Sequence, residues 1–235
     1  MRAYALLGGP TDLWPQDIKE QLLEAKRNHE LIFGVDRGAL FLEELGITPD
    51  VAIGDFDSLQ DNDLARIEKS VTDIRYSNPV KDLTDSELML QTVFNDYHAD
   101  KLTILGATGG RLDHFLINLL MLLNPAVNQF APKVELSDKQ NSIEFFNPGM
   151  HVIERKEEYP YIGFALLSAT EDFNIIGARY DLKNYSGKDP RVFSSNEFLP
   201  NSDSFKITVK KGLIAAIYSK DINRFKKKKK SVKIG

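Results

Sequence analysis

Short apolar runs alternate with helix-like patterns through the first half of the chain. The stretch 16–29 is typical of the helical parts, because Ile18, Leu22 and Ala25 recur on one face of a 3.6-residue repeat. Strands that alternate with helices are typical of a parallel sheet covered by helices. We therefore predict an α/β domain over residues 1–124, with strands at 4–8, 31–35, 51–54, 72–76 and 102–105.

One further helix, which begins after residue 111, carries the clearest apolar stripe of the chain. We expect this stripe to pack on the sheet. The helix is predicted to end at Asn124-Pro125, since proline cannot continue the helical hydrogen bonds. The members of the stripe are spaced to share one helical face: Leu112, Phe115, Leu116, Leu119, Leu120 and Leu123.

After Pro125 the pattern changes to short runs in which apolar and polar residues alternate, the period of a half-buried β-strand. Turn-forming sequences such as Asn147-Pro148-Gly149 separate these runs. We predict an antiparallel sheet or β-sandwich over 125–223 and a basic tail at 224–235. The predicted fold class is thus α/β, with a Rossmann-like parallel-sheet domain followed by a domain that is an antiparallel sheet or β-sandwich. The alternating runs lie at 133–136, 142–145, 161–167, 205–209 and 213–218.

Composition places the chain among folded globular proteins. Of its 235 residues, 42% are hydrophobic and 27% are charged, which is enough apolar material to offset chain entropy. The absence of cysteine excludes disulfides, zinc–thiolate sites, iron–sulfur clusters and thiol nucleophiles. No run approaches the roughly 20 apolar residues that span a bilayer, and the run in 1–9 is too short for a signal peptide. We expect a soluble cytoplasmic protein without a membrane partner.

Positive charge is concentrated at the C-terminal end. Residues 224–235 carry seven lysine and arginine residues and no acid, so that the formal net charge of −4 for the chain becomes −11 for residues 1–223. A body this acidic repels phosphate backbones, and we expect no nucleic-acid partner. Two interpretations of the tail remain open: a solvated terminus, or a contact with a polyanion or an anionic membrane surface.

Acidic residues follow directly after two of the predicted strands. Asp36 follows the second strand, and Asp55 and Asp57 follow the third. Ligands of open α/β sheets bind at the carboxyl ends of strands. If the segment is extended, Asp55 and Asp57 face the same way while Phe56 turns to the core. Two such carboxylates favour a bound cation, and oxygen ligands favour Mg²⁺ over zinc.

A third acidic cluster, from Lys81 to Glu87, opens a predicted helix. Thr84 and Glu87 have the spacing of a capping box, in which each side chain accepts a bond from the backbone amide of the other residue. Asp82 and Asp85 are not needed for that cap, and they form a second pair of candidate Mg²⁺ ligands. Lys81 would offset phosphate charge.

A glycine-rich turn joins the last strand of the first half to the striped helix. Gly109 and Gly110 allow the backbone to approach a phosphate, and Arg111 adds a forked donor that suits phosphate oxygens. Asp113 and His114 stand in the first helical turn, where a helix-start acid and a surface histidine are the alternative interpretation. The spacing matches neither the Gly-x-x-x-x-Gly-Lys phosphate loop nor a dinucleotide motif. Together, the acids, cations and glycines are typical of a Mg²⁺-nucleotide phosphotransfer site.

At these residues the sequence resembles the thiamine diphosphokinase family, whose order of motifs it follows from 34 to 114. The resemblance implies an α/β catalytic domain that binds Mg-ATP, a β-sandwich that binds thiamine, and a homodimer with active sites between subunits. It also implies transfer of diphosphate from ATP to thiamine with release of AMP. The matching strings are Asp36-Arg37-Gly38-Ala39, Pro49-Asp50 leading into Ile53-Gly54-Asp55-Phe56-Asp57-Ser58, Asp82-Leu83-Thr84-Asp85, Gly109-Gly110-Arg111-Leu112-Asp113-His114, Ala178-Arg179-Tyr180-Asp181-Leu182 and Ser194-Ser195-Asn196-Glu197.

The resemblance also implies three groups of site residues. Many relatives have Asp-Gly-Gly where this chain has Asp36-Arg37-Gly38, and some have tryptophan in place of Tyr180. The aspartates implied to hold Mg²⁺ and to orient ATP are Asp55, Asp57, Asp82 and Asp85. The residues implied to bind ATP or its phosphates are Asp36, Lys81, Thr84, Gly109, Gly110, Arg111, Asp113 and His114. The residues implied to meet thiamine, from the partner subunit, are Tyr180, Ser194, Ser195 and Asn196.

Three other functions remain compatible with parts of the pattern. A diphosphokinase acting on a hydroxymethyl pterin would have a similar Mg-ATP half. A non-catalytic nucleotide or thiamine sensor would need the binding groups but not four aspartates, and a metal-dependent phosphohydrolase would use water as acceptor. Asp82 or Asp85 is a candidate to accept the proton of the attacking hydroxyl, although sequence does not separate a base from a metal ligand.

Overall fold

The computed structural model describes residues 1–77 and 83–221. The predictions made for Lys81, Asp82 and the basic tail at 224–235 lie outside these described residues. None of the helices in the described ranges is long and apolar enough to cross a membrane.

Parallel strands form one end of a large sheet. The strands predicted at 31–35 and 51–54 are observed with those bounds, and the other predicted strands of this half lie within two residues of their expected positions. The strands are β1 (Arg2–Leu6), β2 (Leu31–Val35), β3 (Val51–Gly54), β4 (Asp73–Tyr76), β5 (Lys101–Leu105) and β6 (Val134–Ser137). Their order across the sheet is β6-β5-β1-β2-β3-β4, and each neighbouring pair is parallel.

Helices connect the parallel strands. In the first of them, Ile18, Leu22 and Ala25 are buried, as their spacing predicts. The fourth continues into a π-helical turn at Thr92–Asp96. The helices are α1 (Ile18–Arg27), α2 (Arg37–Glu44), α3 (Asp61–Ser70), α4 (Asp85–Gln91) and α5 (Leu112–Leu120), with short 3₁₀ helices at Thr11–Leu13, Met121–Leu123 and Asn128–Lys133.

Antiparallel strands from the second half extend the same sheet. These are β7 (Asn141–Phe146), β9 (Tyr161–Leu166), β12 (Arg191–Asn196) and β14 (Ile214–Ser219). Within the described ranges, the complete order is β12-β9-β14-β7-β6-β5-β1-β2-β3-β4. A second, antiparallel sheet has the order β11-β10-β13-β8 and consists of β8 (Gly149–Glu154), β10 (Thr170–Ile176), β11 (Leu182–Gly187) and β13 (Ser204–Val209).

The two antiparallel layers enclose a common core, which confirms the predicted β-sandwich. Phe164 of β9 and Tyr218 of β14 come from the large sheet, while Phe173 of β10 and Phe205 of β13 come from the small one. Phe164 packs against both phenylalanines, with ring centroids 5.7 and 6.1 Å apart. The fold therefore combines an α/β layer and a sandwich that share one continuous sheet.

Strand β6 departs from the prediction. Its run at 133–136 was expected to belong to the antiparallel half, but β6 pairs in parallel with β5 and antiparallel with β7. Alternation along one strand predicts a half-buried strand and does not fix the direction of its neighbours. The domain boundary expected at residue 125 stays a prediction, because the sheet runs through this region without a break.

The expectation that the stripe of α5 packs on the sheet is wrong for most of its members. Leu112 is 75% exposed, Leu116 49% and Leu120 39%. The helix instead buries Asn118 and packs Leu119 against the main core. Periodicity identifies an apolar face but not the surface that covers it, and in a single chain these leucines face outwards.

A charged cluster joins β6 and β7, two inner strands of the large sheet. Glu135 and Glu144 stand directly opposite each other on these strands, and the ammonium of Lys156 lies 2.8 and 2.9 Å from their carboxylates. Burial opposes ionisation of Glu135, but the charge of Lys156 and hydrogen bonds from Lys156 and Ser142 outweigh it and lower the pKa of Glu135. Lys156 therefore offsets a repulsion between two facing carboxylates.

Replacement of this cation is expected to destabilise the fold. Lys156→Met should lower the free energy of unfolding at pH 7 by about 2 kcal/mol, because two partly buried carboxylates would lose their counter-ion. The lowered pKa of Glu135 gives stability above the unfolded pKa of about 4.3, and this stability is lost as the pH falls through the folded pKa. The difference between parent and variant should therefore shrink between pH 7 and pH 3 in urea unfolding.

The matched control is Lys220→Met. Lys220 also lies over a tyrosine ring, at 4.9 Å from Tyr159 against 4.7 Å for Lys156 and Tyr218, but it pairs with the exposed Glu158. We expect a loss below about 1 kcal/mol there. An equal loss of unfolding free energy in the two variants would contradict this account. So would a loss for Lys156→Met that does not change with pH.

Candidate active site

The carboxyl ends of the parallel strands carry most of the expected site residues. The chain runs outwards from β1 through β2 and β3 to β4, and then returns to place β5 on the other side of β1. Such a reversal opens a crevice between the loops that follow the two central strands, and ligands of α/β sheets bind there. The candidate site is therefore built from the loops after β1, β2, β3 and β5 and from the start of α4.

The loops after β1 and β5 are in direct contact. The amide of Gly9 donates to the carbonyl of Gly106 at 2.9 Å. A side chain at Gly9 would place its Cβ 2.3 Å from that carbonyl oxygen, so only glycine permits this approach. Gly8 and Gly9 were not predicted to belong to the site, although a glycine pair directly after a strand was available as a signal.

Three carboxylates come together on the other side of β1. Asp36 follows β2 with a φ of +48°, and its Oδ1 is buried without a hydrogen-bond partner among the described residues. A Cβ on Gly54 would lie 1.9 Å from this oxygen, so the Asp36 carboxylate rests on the backbone at the end of β3. Burial, followed by the nearby charges of Asp85 and Asp55, raises the pKa of Asp36 to about 7.

This carboxylate cluster (Asp36, Asp55 and Asp85) suits a hard cation. Its members supply the oxygen donors that Mg²⁺ prefers, and the charges of Asp85 and Asp55 add to burial in raising the pKa of Asp36. Asp82, the further expected ligand, lies outside the described residues. Within the described ranges, no set of three or more histidine, aspartate or glutamate side chains is already arranged around a metal position.

The segment from Asp55 to Asp57 is turned rather than extended. Phe56 is buried, as predicted, but its φ is +55°, and the amide of Asp57 donates to Oδ1 of Asp55 at 3.1 Å. Asp55 is half-buried next to Asp36, whereas Asp57 is exposed. The two carboxylates are therefore not equivalent, because the simple alternation expected of an extended strand does not hold through a left-handed residue.

The start of α4 has the predicted capping box. The hydroxyl of Thr84 accepts from the amide of Glu87 at 3.3 Å, and the Glu87 carboxylate accepts from the amide of Thr84 at 2.8 Å. This cap starts the helix at Asp85 and holds that carboxylate beside Asp36. A contact of Thr84 with ATP stays a prediction.

The glycine turn after β5 leads to an exposed ion pair. Gly109 and Gly110 have φ values of +76° and +63°, which glycine adopts without strain. Arg111 donates from Nη2 to Oδ2 of Asp113 at 2.7 Å, and hydrogen bonding by Arg111 lowers the pKa of Asp113 to about 2. Both side chains and His114 are exposed at the sheet edge. An exposed pair of this kind can exchange its internal bonds for bonds to a phosphate at little cost.

Asp138 anchors the same turn and was not anticipated. It follows β6, is buried, and its Oδ2 accepts from the hydroxyl of Thr108 at 2.6 Å. The amides of Gln140 and Asn141 satisfy its Oδ1 at 2.7 Å each. Its position directly after an apolar run was the available signal, since Asp36 and Asp55 follow strands in the same way.

The residues expected to meet thiamine form a separate surface. Ser194 and Ser195 are exposed on β12, where the pairing with β9 is irregular and Ser195 has a φ of +62°. Asn196 is buried, and its amide bonds both the N–H and the carbonyl of Tyr180, at 3.0 and 2.8 Å. Tyr180 itself is 57% exposed. Asn196 thus holds Tyr180 beside the two serines, and contact of all four with thiamine stays a prediction.

This thiamine-binding candidate (Tyr180 and Ser194–Asn196) lies far from the carboxylate cluster in one chain. β12 is at one edge of the large sheet, and β3, which precedes Asp55, is eight strand positions away. At about 4.8 Å per strand, the two groups are on the order of 30–40 Å apart. The site residues therefore form two groups, which a single chain does not bring together.

Comparison with known proteins gives a family match for each half of the chain. Residues 22–135 match the family model "Thiamin pyrophosphokinase, catalytic domain", and residues 150–214 match "Thiamin pyrophosphokinase, vitamin B1 binding domain". A thiamine pyrophosphokinase of Bacillus subtilis is 35% identical over 216 residues, which is 91% of this chain and 96% of that protein.

Solved structures agree with these matches. A thiamin pyrophosphokinase family protein of Enterococcus faecalis superimposes with a TM-score of 0.83 at 30% identity, covering 94% of this chain and 100% of that one. The Bacillus subtilis thiamine pyrophosphokinase structure gives a TM-score of 0.78 at 32% identity, with 94% and 100% coverage. The fold predicted from the sequence is therefore confirmed, and the chain belongs to the thiamin pyrophosphokinase family.

Proposed function

We propose that this chain transfers a diphosphate group from Mg-ATP to thiamine, which yields thiamine diphosphate and AMP. Membership of the thiamin pyrophosphokinase family supports the acceptor, and it favours thiamine over a pterin. The observation that carries the phosphotransfer chemistry is the carboxylate cluster at the carboxyl ends of the strands, where burial and the charges of Asp85 and Asp55 raise the pKa of Asp36 to about 7. A protein that only sensed thiamine would not need this concentration of negative charge.

The carboxylate cluster is the proposed Mg²⁺ site. Asp55 and Asp85 would hold the ion, together with the exposed Asp57 and with Asp82, while Asp36 supports them from its position against Gly54. The ion would neutralise charge on the phosphate oxygens of ATP.

The chain's own residues would then orient the reaction. The backbone of Gly109 and Gly110 and the guanidinium of Arg111 would bind the transferring diphosphate, with Asp113 and His114 beside them. The thiamine hydroxyl oxygen forms a bond to the β-phosphorus while the bond from that phosphorus to the AMP oxygen breaks. The hydroxyl proton passes to a carboxylate, for which Asp85 and Asp82 are the candidates. Alignment of the reacting groups supplies most of the acceleration.

A homodimer would bring the two groups of site residues together. Because the thiamine-binding candidate and Asp55 are on the order of 30–40 Å apart in one chain, a second copy must supply one of them. The exposed leucines of α5 begin directly after Arg111 and offer an apolar face for that copy. Active sites shared between subunits are thus our proposal, and the cytoplasmic location expected from the sequence stays a prediction.

The test is product analysis with the purified protein. Incubation with Mg-ATP and thiamine should give AMP and thiamine diphosphate in equal amounts, identified by mass. Parallel reactions without acceptor and with a hydroxymethyl pterin separate the alternatives. ADP, thiamine-independent release of phosphate, or AMP formation that needs the pterin would each refute the proposal.

A further inference from the structure

A buried amide on α5 joins two elements of the candidate site. Within α5, all of which is described, Asn118 is the one buried residue. Its Oδ1 accepts from the hydroxyl of Ser86 at 2.9 Å, and its Nδ2 donates to the carbonyl of Ala107 at 3.0 Å. Ser86 is also buried, so all the groups in this chain of bonds are shielded from water.

The two partners of Asn118 belong to different halves of the site. Ser86 directly follows Asp85, which belongs to the carboxylate cluster. Ala107 lies in the turn that leads to Gly109, Gly110 and Arg111. One side chain therefore sets the distance between the proposed Mg²⁺ site and the proposed phosphate turn.

The link between Ser86 and Ala107 requires a side chain that offers both a donor and an acceptor. A carbonyl needs a donor and the Ser86 hydroxyl needs an acceptor, and a primary amide provides both in one rigid plane. Removal of the amide would leave a buried carbonyl and a buried hydroxyl without partners, and such groups shift to find new ones. A shift of either element would change the alignment between Asp85 and the phosphate turn.

A second amide keeps the overall packing of α4 independent of Asn118. Asn124 donates to Oε1 of Glu87 at 2.8 Å, which ties the other side of the same helical turn to the segment after α5. The capping box between Thr84 and Glu87 is also separate from Asn118. The loss of Asn118 should therefore misalign the site without unfolding the helix.

We propose that Asn118 is a positioning residue that aligns the carboxylate cluster with the phosphate turn for diphosphate transfer. This role rests on the proposed function of the site. Asn118 touches neither ATP nor thiamine and acts through Ser86 and Ala107. It lies outside the predicted apolar stripe of α5, on the face of the helix that the structure buries.

The experiment compares Asn118→Ala, Ser86→Ala and Ser86→Thr. The two alanine variants should lower kcat by about 10²-fold, the effect of a misalignment of about 1 Å, with the KM for thiamine unchanged. They should also weaken Mg-ATP binding by about tenfold in calorimetry without thiamine, because the carboxylate cluster and the phosphate turn would no longer be held in place for the same ligand. Ser86→Thr keeps the hydroxyl and should retain parental kcat, which a role in packing alone would not predict.

Asn174→Ala is the matched control. Asn174 also bonds through both ends of its amide, to Thr208 and to the amide of Asn184, but in the small sheet. Its loss should lower the thermal midpoint and leave kcat unchanged. Folded Asn118→Ala with parental kcat and parental Mg-ATP affinity would overturn the inference. A parent that binds Mg-ATP but makes no thiamine diphosphate would refute the proposed function alone, provided that Asn118→Ala still weakens Mg-ATP binding.

Discussion

Asp55→Asn is expected to lower kcat for thiamine diphosphate formation by about 10³-fold and to raise the thermal stability of the free protein. The substitution keeps the shape of the side chain and removes one charge from the carboxylate cluster. Because the charges of Asp85 and Asp55 raise the pKa of Asp36, each of them costs folding free energy in the absence of a cation. We expect a gain of about 1 kcal/mol in stability, as is common where a site is strained for function.

The neighbouring aspartates provide the comparison. Asp57 is exposed and is not among the charges that raise the pKa of Asp36, so Asp57→Asn should impair turnover without a comparable gain in stability. Asp61→Asn, at the exposed start of α3, is the matched control and should change neither quantity. The measurements are kcat with saturating Mg-ATP and the thermal midpoint without nucleotide or metal. A folded Asp55→Asn variant with parental turnover would remove Asp55 from the mechanism.

With Mg-ATP present, the parent should become more stable than Asp55→Asn, the reverse of the order expected without ligand. The parent is expected to gain stability when Mg-ATP is added, because a ligand that binds the folded state alone shifts the unfolding equilibrium. Asp55→Asn should gain much less, since it lacks part of the proposed Mg²⁺ site. If both proteins gained equally from Mg-ATP, the carboxylate cluster would not be the metal site.

Much of the parallel sheet could be predicted because its strands are continuous apolar runs that end in polar residues. β2 stops at Asp36 and β3 stops at Asp55, so that both the bounds and the candidate carboxylates follow from the same signal. Which strand or surface packs against a given strand or helix depends on residues far away in the sequence, so a local pattern does not reveal it. The run at 133–136 therefore predicted β6 but not its parallel pairing with β5, and the stripe of α5 predicted a helix but not the surface that covers it.

The chemistry of the site could be predicted by residue type but not by environment. Order along the chain places Asp36, Asp55 and Asp85 at one sheet edge, yet the left-handed backbone at Asp36 and Phe56 determines which carboxylates meet. Asn118 was not predicted as a site residue, because a single polar residue in a leucine-rich helix has several explanations. The separation between the thiamine-binding candidate and Asp55 depends on the strand order of the whole sheet, which local patterns do not contain.

Leu116→Asp is expected to dissociate the proposed homodimer and to abolish most of its activity. Leu112, Leu116 and Leu120 follow one another at helical spacing and are all exposed in the single chain. A charge in the centre of an apolar interface must be desolvated without a partner, which is strongly unfavourable. Turnover should fall with the dimer, because one chain holds the thiamine-binding candidate on the order of 30–40 Å from Asp55.

Leu23→Asp on α1 is the matched control for this substitution. Leu23 is 40% exposed, like Leu120, but lies on a helix for which we propose no partner. Sedimentation and activity should be measured over the same range of protein concentrations. Leu116→Asp should sediment as a monomer with low activity that rises with concentration, while Leu23→Asp should match the parent. A fully active Leu116→Asp monomer would refute the shared site.

Mixing two inactive variants tests the shared site without changing the interface. Asp55→Asn disables the carboxylate cluster, and Tyr180→Ala disables the thiamine-binding candidate. Each homodimer should therefore be nearly inactive. In a two-fold symmetric dimer, a mixed pair has one site with both defects and one site with neither. Equal mixing and exchange of subunits should therefore restore about a quarter of parental turnover. If each site lay within a single chain, mixing would restore nothing, because every site would keep one defect.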